Sequence, residues 1–188
     1  MAALLSYGVY LPRYRAPLGE IQRFYGRPGR PRAKALATPA LDEDPITMGF
    51  EAAREALAGQ ATPGALVVVT QAPPVALRKT SATLAEALGL EYVVPIDLAG
   101  QPGGLLDAFA IAAHMAAADE RPVLVVVTDH LVSHAERVAD MLSAGGAAAF
   151  LVGAAGGFAE LGPNARARRE VYDVWRLGTE AEPRYRLE

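Results

Sequence analysis

The sequence predicts a layered α/β protein built on a mostly parallel, five-stranded sheet. Two continuous apolar runs, Ala65–Thr70 (A-L-V-V-V-T) and Val123–Thr128 (V-L-V-V-V-T), have the length of strands and no polar alternation. That pattern marks strands buried on both faces. The segments around them carry helical spacing, so the order reads β-loop-α-β-α-β-α-β-loop-β. Strands alternating with helices are joined by crossovers, which give parallel neighbours.

In chain order, Ala3–Leu11 alternates loosely and is rich in Leu, Val and Tyr, which predicts a first strand ended by Pro12. Residues 13–41 have no clean period and carry Arg13, Arg15, Arg23, Arg27, Arg30, Arg32 and Lys34. They read as a basic loop insertion with a short helix at Leu18–Tyr25. Asp44-Pro45 is a helix start: Asp caps, and proline at the first position wastes no N–H. Ile46, Phe50, Ala53 and Leu57 then recur at helical spacing, and Gly59 closes the helix. After the Ala65–Thr70 strand comes the loop Q-A-P-P-V-A-L-R-K, beyond a strand's carboxyl end, where open α/β sheets carry their sites. Thr80–Leu88 reads as a short helix with Thr83 and Glu86 as part of its cap and Gly89 as its end.

Tyr92–Ile96 predicts a strand that Pro95 confines to a sheet edge or a bulge. From about Pro102 a long helix follows. Leu105, Leu106, Phe109, Ala110, Ala112, Ala113 and Met115 cover nearly all its faces, so burial on all sides is expected. Its N-terminus gathers unpaired N–H groups and the positive end of the dipole. Val123–Thr128 is the next strand, followed by a polar loop with room for a helical turn. Gly145–Gly153 is the last long strand, and Gly157–Leu161 a short edge strand. Residues 1–163 read as one domain and residues 164–188 as a charged tail containing Trp175.

Composition excludes several functions. The chain has 188 residues, 52% hydrophobic and 21% charged, with a formal net charge of −3, so nothing global points to nucleic acid or an anionic membrane. It has no cysteine, which rules out disulfides, thiolate metal ligation and a thiolate nucleophile within these residues. The start M-A-A-L-L-S-Y-G-V-Y lacks the pattern of a signal peptide, and no apolar run has the length of a membrane span. A cytoplasmic location is the expectation.

Two groups of polar residues are candidates for ligands. Arg13, Arg15, Arg30 and Arg32 form a basic lip that would attract a phosphate-bearing ligand; a solvated loop is the commoner outcome for such a run. His130 and His134 are four residues apart, a spacing that places two imidazoles on one helix face for a metal. They lack a clear third ligand, so no metal is expected. His114, on the long helix, reads as a hydrogen-bonded core residue.

The chain resembles the N-terminal half of the thiolase superfamily, most of all hydroxymethylglutaryl-CoA synthase of the archaeal and bacterial branch. The resemblance runs through Y-G-V-Y-L-P-R-Y-R at Tyr7–Arg15, D-E-D-P-I-T-M-G-F-E-A-A-R at Asp42–Arg54 and L-A-E-A-L-G-L at Leu84–Leu90. It continues through D-L-A-G-Q-P-G-G at Asp97–Gly104 and G-G-A-A-A-F-L-V-G at Gly145–Gly153, and V-Y-D-V-W-R at Val171–Arg176 is similar too. It implies a thiolase-like half, with chemistry on acyl groups carried by coenzyme A. In that family a cysteine at the tip of the buried helix takes the acyl group; the matching position here is Pro102. A glutamate after the second strand serves as acid/base; the matching position is Gln71. The pattern G-D-G-A-A-A becomes A-G-G-A-A-A, with Gly145 in place of the aspartate.

These departures imply a non-catalytic half-thiolase acting as a structural or regulatory subunit. The alternative is a subunit that lends part of an acyl-CoA pocket to an acyltransferase or synthase whose cysteine comes from another chain. A coenzyme A thioester is the one cofactor the resemblance suggests. The expected partners are a second copy, a thiolase-type chain, or a small zinc-ribbon/OB-fold acyl-CoA-binding protein.

Overall fold

The structure is a computed structural model; it describes residues 1–24, 26, 33–99, 104–130 and 144–163, together with 165, 167, 169, 174–175 and 184–185 of the tail. The main sheet has strands β1 (Ala3–Tyr10), β4 (Ala65–Thr70), β5 (Val94–Ala99), β6 (Val123–Asp129), β7 (Gly146–Gly153) and the two-residue β8 (Ala159–Glu160). Their spatial order is β5-β4-β6-β7-β1-β8. β5, β4 and β6 are mutually parallel, β7 runs against β6 and β1, and β8 runs against β1. Four strands therefore share one direction, which is the mostly parallel sheet expected. Beside the expected five strands, β8 is the short edge strand expected within Gly157–Leu161.

β4 is buried along its whole length because both faces are covered. Leu66 and Val68 point to one side, where they meet Met48, Ala52 and Ala56 of α2 (Pro45–Leu57) and Leu84 of α3 (Thr80–Ala87). Ala65, Val67 and Val69 point to the other, against Ala108, Ala112 and Ala116 of α4 (Gly104–Asp119). The result is three layers, α/β/α, with an apolar cluster on each side of the sheet.

α2 begins as its sequence predicts. Asp44 Oδ1 accepts from the Thr47 N–H at 2.8 Å, and Thr47 Oγ1 accepts from the Asp44 N–H at 2.7 Å, a reciprocal capping box. The helix crosses β1 very closely: Ser6 Oγ donates to the Ala56 carbonyl at 2.5 Å, and the Val9 N–H donates to Glu55 Oε2 at 2.8 Å. Gly8 makes this approach possible, since a Cβ there would overlap the Ala52 carbonyl oxygen.

Several expectations need correction, and one, the start of the long helix at Pro102, falls outside the described residues. Residues 13–41 are not simply a loop: β2 (Tyr14–Pro17) and β3 (Ala35–Thr38) pair antiparallel around the short α1 (Leu18–Phe24). Strands of only four residues carry no readable alternation. The cap of α3 is not local. No side chain of Lys79 or Thr83 caps it; instead Asp97 of β5 accepts from the N–H groups of Thr80 (2.9 Å) and Ser81 (2.8 Å). α4 starts at Gly104 among the described residues, and Pro102 lies outside them. Nor is α4 buried on all sides: one stripe is fully buried, Leu106 is 63% exposed and His114 is exposed. His114 is thus no core residue, although its Nδ1 lies 2.6 Å from the Ala110 carbonyl oxygen.

β5 lies at the sheet edge, as Pro95 requires. The Val94 N–H points inward to the Gly64 carbonyl, whereas the Pro95 carbonyl accepts from Lys79 Nζ at 3.2 Å. In the tail, β9 (Val174–Trp175) and β10 (Arg184–Tyr185) pair antiparallel.

The Ser81 hydroxyl is fully buried and has no hydrogen-bond partner among the described residues. A buried hydroxyl without a partner is a cost rather than a gain. Ser81→Ala is therefore expected to leave stability unchanged or to raise it, by up to about 1–2 kcal/mol. Thermal unfolding checks this; a clear loss of stability would show that the hydroxyl is satisfied in solution.

Candidate functional site

The carboxyl ends of parallel strands are where α/β sheets place their ligands. Here β4, β5 and β6 end together: Thr70 is level with Ala99, and Asp129 closes β6. β7 begins at the same end, with Gly146 opposite Asp129, and β1 leaves it at Tyr10, opposite Ala147. Gln71, Asp129 and Gly145, and the chain segment that carries Arg13 and Arg15, thus emerge at one end of the sheet.

Asp129 organises this end. Its Oδ1 accepts from Thr70 Oγ1 (3.0 Å), from the Gln71 N–H (2.7 Å) and from the Ala72 N–H (3.2 Å). One oxygen of a β6 carboxylate therefore fixes the first turn of the loop that leaves β4. The Ala72 N–H is shared with Thr70 Oγ1 at 3.1 Å. Burial pushes the Asp129 carboxyl above its ordinary value, and the bonds from Gln71, Thr70 and Ala72 oppose that. The Gln71 position is exposed, and its backbone N–H is committed to Asp129. Next in sequence, burial holds the His130 imidazole below its ordinary value, so it is neutral at pH 7.

Gly145 is buried, and its N–H donates to the Ala37 carbonyl at 3.0 Å, which ties the β2–β3 hairpin to the start of β7. A Cβ at Gly145 would lie 2.7 Å from Pro39 Cδ and closer still to Pro39 Cγ. The space of a side chain at this position is filled by proline. Arg15 is exposed, and its guanidinium donates to the nearby backbone carbonyls of Pro12 and Tyr14. Arg13 is exposed. Arg30 and Arg32 lie outside the described residues, and so does His134, which leaves the His130–His134 pair undescribed. Among the described residues no group of three His, Asp or Glu side chains converges as a metal site, and no helix is long and apolar enough to cross a membrane.

Asp129 has no role in the sequence reading above. The available signal was position: an acidic residue directly at the carboxyl end of a buried apolar run. Asp129→Ala should release Gln71 and Ala72 and cost about 1.5–3 kcal/mol, the usual contribution of hydrogen bonds to a charged group. Amide exchange at those two residues should accelerate while β4 and β6 stay protected. Asp129→Asn keeps an accepting oxygen and should cost less. The carboxyl pKa is raised in the folded state, so this group favours folding at low pH. That contribution is lost as pH rises from the ordinary aspartate value through the folded one. The pH profile of unfolding in Asp129→Asn should lack this slope.

No protein-family model matches the chain. The hydroxymethylglutaryl-CoA synthase of Aeropyrum pernix is 30% identical to it, over 97% of this chain and 54% of the synthase. The synthase of Methanocaldococcus jannaschii is 28% identical, over 98% of this chain and 57% of its own length. Among solved structures, a hydroxymethylglutaryl-CoA synthase crystallised with CoA superposes with a TM-score of 0.86 at 15% identity. It is matched over 98% of this chain and 50% of its own length. The chain spans about half the length of the curated relatives it matches. In sequence it is similar to about half of a hydroxymethylglutaryl-CoA synthase, and it has the thiolase-like fold of that half.

Proposed function

We propose that the chain is a non-catalytic half-thiolase, a pseudoenzyme that serves as a structural or regulatory subunit of a thiolase-type assembly in the cytoplasm. The observation that carries this is chemical: the chain contains no thiol, and the position matched to the family's acyl-accepting cysteine is Pro102. Acyl transfer through a thioester needs a thiolate, and no hydroxyl or amine at that position replaces it. Gly145 supports the same reading, since the room for an acidic side chain has gone to Pro39.

The surface supports a partner. Tyr7, Val9 and Leu11 stand at alternate positions along β1 and its end and are all exposed, and Phe158 packs on Tyr7 with ring centroids 5.8 Å apart. Phe109 of α4 stacks edge-on to Phe150, the residue opposite Tyr7, so α4 and this patch share one face of the sheet. Contiguous exposed apolar surface marks interaction sites. A second copy or a thiolase-type chain suits that face; a zinc-ribbon/OB-fold acyl-CoA-binding protein is the other expected partner. Sedimentation of the purified chain, alone and with a co-purified partner, tests this: a stable monomer that recruits nothing would contradict it.

A second reading keeps a coenzyme A thioester as ligand of a pocket completed by another subunit. The Asp129 clamp favours it, because it holds the β4 loop in a fixed shape at the sheet's carboxyl end. Calorimetry with acetyl-CoA on the reconstituted assembly separates the two readings.

A further inference from the structure

On the sheet face that carries α2 and α3, a cleft of about 540 Å³ opens between the end of β1, the turn before α2 and α2 itself. That volume is in the range of small-molecule sites. Ile46, Met48 and Phe50 line it together with Tyr10 and the acidic residues Asp42, Glu43 and Glu51. Among the described residues no lysine or arginine lines it.

The carboxylates are differently engaged. The Tyr10 hydroxyl donates to Glu43 Oε1, and the Ala40 N–H donates to Oε2 at 2.6 Å. These bonds, Tyr10 first, hold the Glu43 carboxyl below its ordinary value and keep it ionised at neutral pH. Glu51 meets Arg54 at 2.6 Å on the exposed side of α2, where such pairs are weak and exchangeable. Asp42 is exposed and forms no ion pair among the described residues. Negative charge thus surrounds an apolar recess that contains an aromatic ring.

We propose that this cleft binds a cation on a short apolar stem, an alkylammonium or alkylguanidinium group. The cation would sit between Asp42 and Glu51, and the stem against Ile46 and Phe50, with the aromatic ring adding a cation–π contribution. A free amine and a Lys or Arg side chain of a partner polypeptide offer the same chemistry. The cleft shares the end of β1 with the strand ends described above but opens on the α2 side, and cation binding there does not depend on the function proposed above.

The test is titration of the full chain with pentylamine, agmatine and the tripeptide Gly-Arg-Gly, followed by amide shifts at Ile46 and Phe50. Saturable shifts at these amides are expected for the cations, and none for 1-pentanol, which has the stem without the charge. The double variant Asp42→Asn/Glu51→Gln, whose changes are isosteric, should bind about tenfold more weakly, a loss of about 1.4 kcal/mol. Tighter binding of the tripeptide than of agmatine assigns a polypeptide as the source; the reverse assigns a small amine. The proposal is overturned if the cations give no saturable shift at Ile46 and Phe50, or if pentanol matches pentylamine. Equal binding by the folded double variant would also overturn it.

Discussion

Gly8→Ala is expected to lower the stability of the protein by about 3 kcal/mol or more, at the upper end of overpacking penalties. The reason is that backbone, not side chain, occupies the space. A Cβ at Gly8 would overlap the Ala52 carbonyl oxygen and lie 2.8 Å from both the Ala56 nitrogen and Glu55 Cβ. No rotamer change relieves such a clash, so α2 must move away from β1. That movement breaks the bonds from Ser6 to the Ala56 carbonyl and from the Val9 N–H to Glu55. It also opens the cluster of Met48, Ala52, Ala56, Leu66 and Leu124 beneath. Denaturant unfolding measures the loss. A Gly8→Ala variant as stable as the parent would show that the β1–α2 crossing is looser than described.

Restoring the family's aspartate by Gly145→Asp is expected to destabilise rather than repair, by about 2–4 kcal/mol from overpacking plus burial of a carboxylate. The ring of Pro39 already fills the volume that the new Cβ needs. Displacing it would loosen the bond between the Gly145 N–H and the Ala37 carbonyl, and with it the β2–β3 hairpin. Adding Pro39→Gly should recover part of the stability, because the two positions compete for one space. If Gly145→Asp alone were neutral, the closure of this site by Pro39 would be wrong. Together the two variants separate a general feature of the fold, the β1–α2 crossing, from one that bears on lost chemistry.

What the sequence revealed depended on how local each signal was. The cap of α2 is written within four residues, Asp44 to Thr47, and it reads correctly. The strands β4 and β6 announce themselves because both their faces are apolar. Pro95 located an edge strand, because a missing N–H is tolerated only where no neighbour needs it. The cap of α3 was not legible, since it comes from Asp97 on a later strand. The same holds for Asp129, whose partners Thr70, Gln71 and Ala72 are on another strand and its loop. Nothing in the residue order hints that Pro39 fills the space at Gly145, because that contact depends on how a hairpin docks against β7. The partial exposure of α4 went against an apolar pattern on all sides, since residues such as Leu106 are apolar yet exposed.

The most direct test of a thiolase half without acyl chemistry is intact-mass spectrometry of the purified chain after incubation with acetyl-CoA, with free CoA release followed in parallel. The expected result is an unchanged protein mass and no CoA release above the buffer control. A mass increase of one acetyl group that is removed by hydroxylamine, or sustained CoA release by this polypeptide alone, would contradict it.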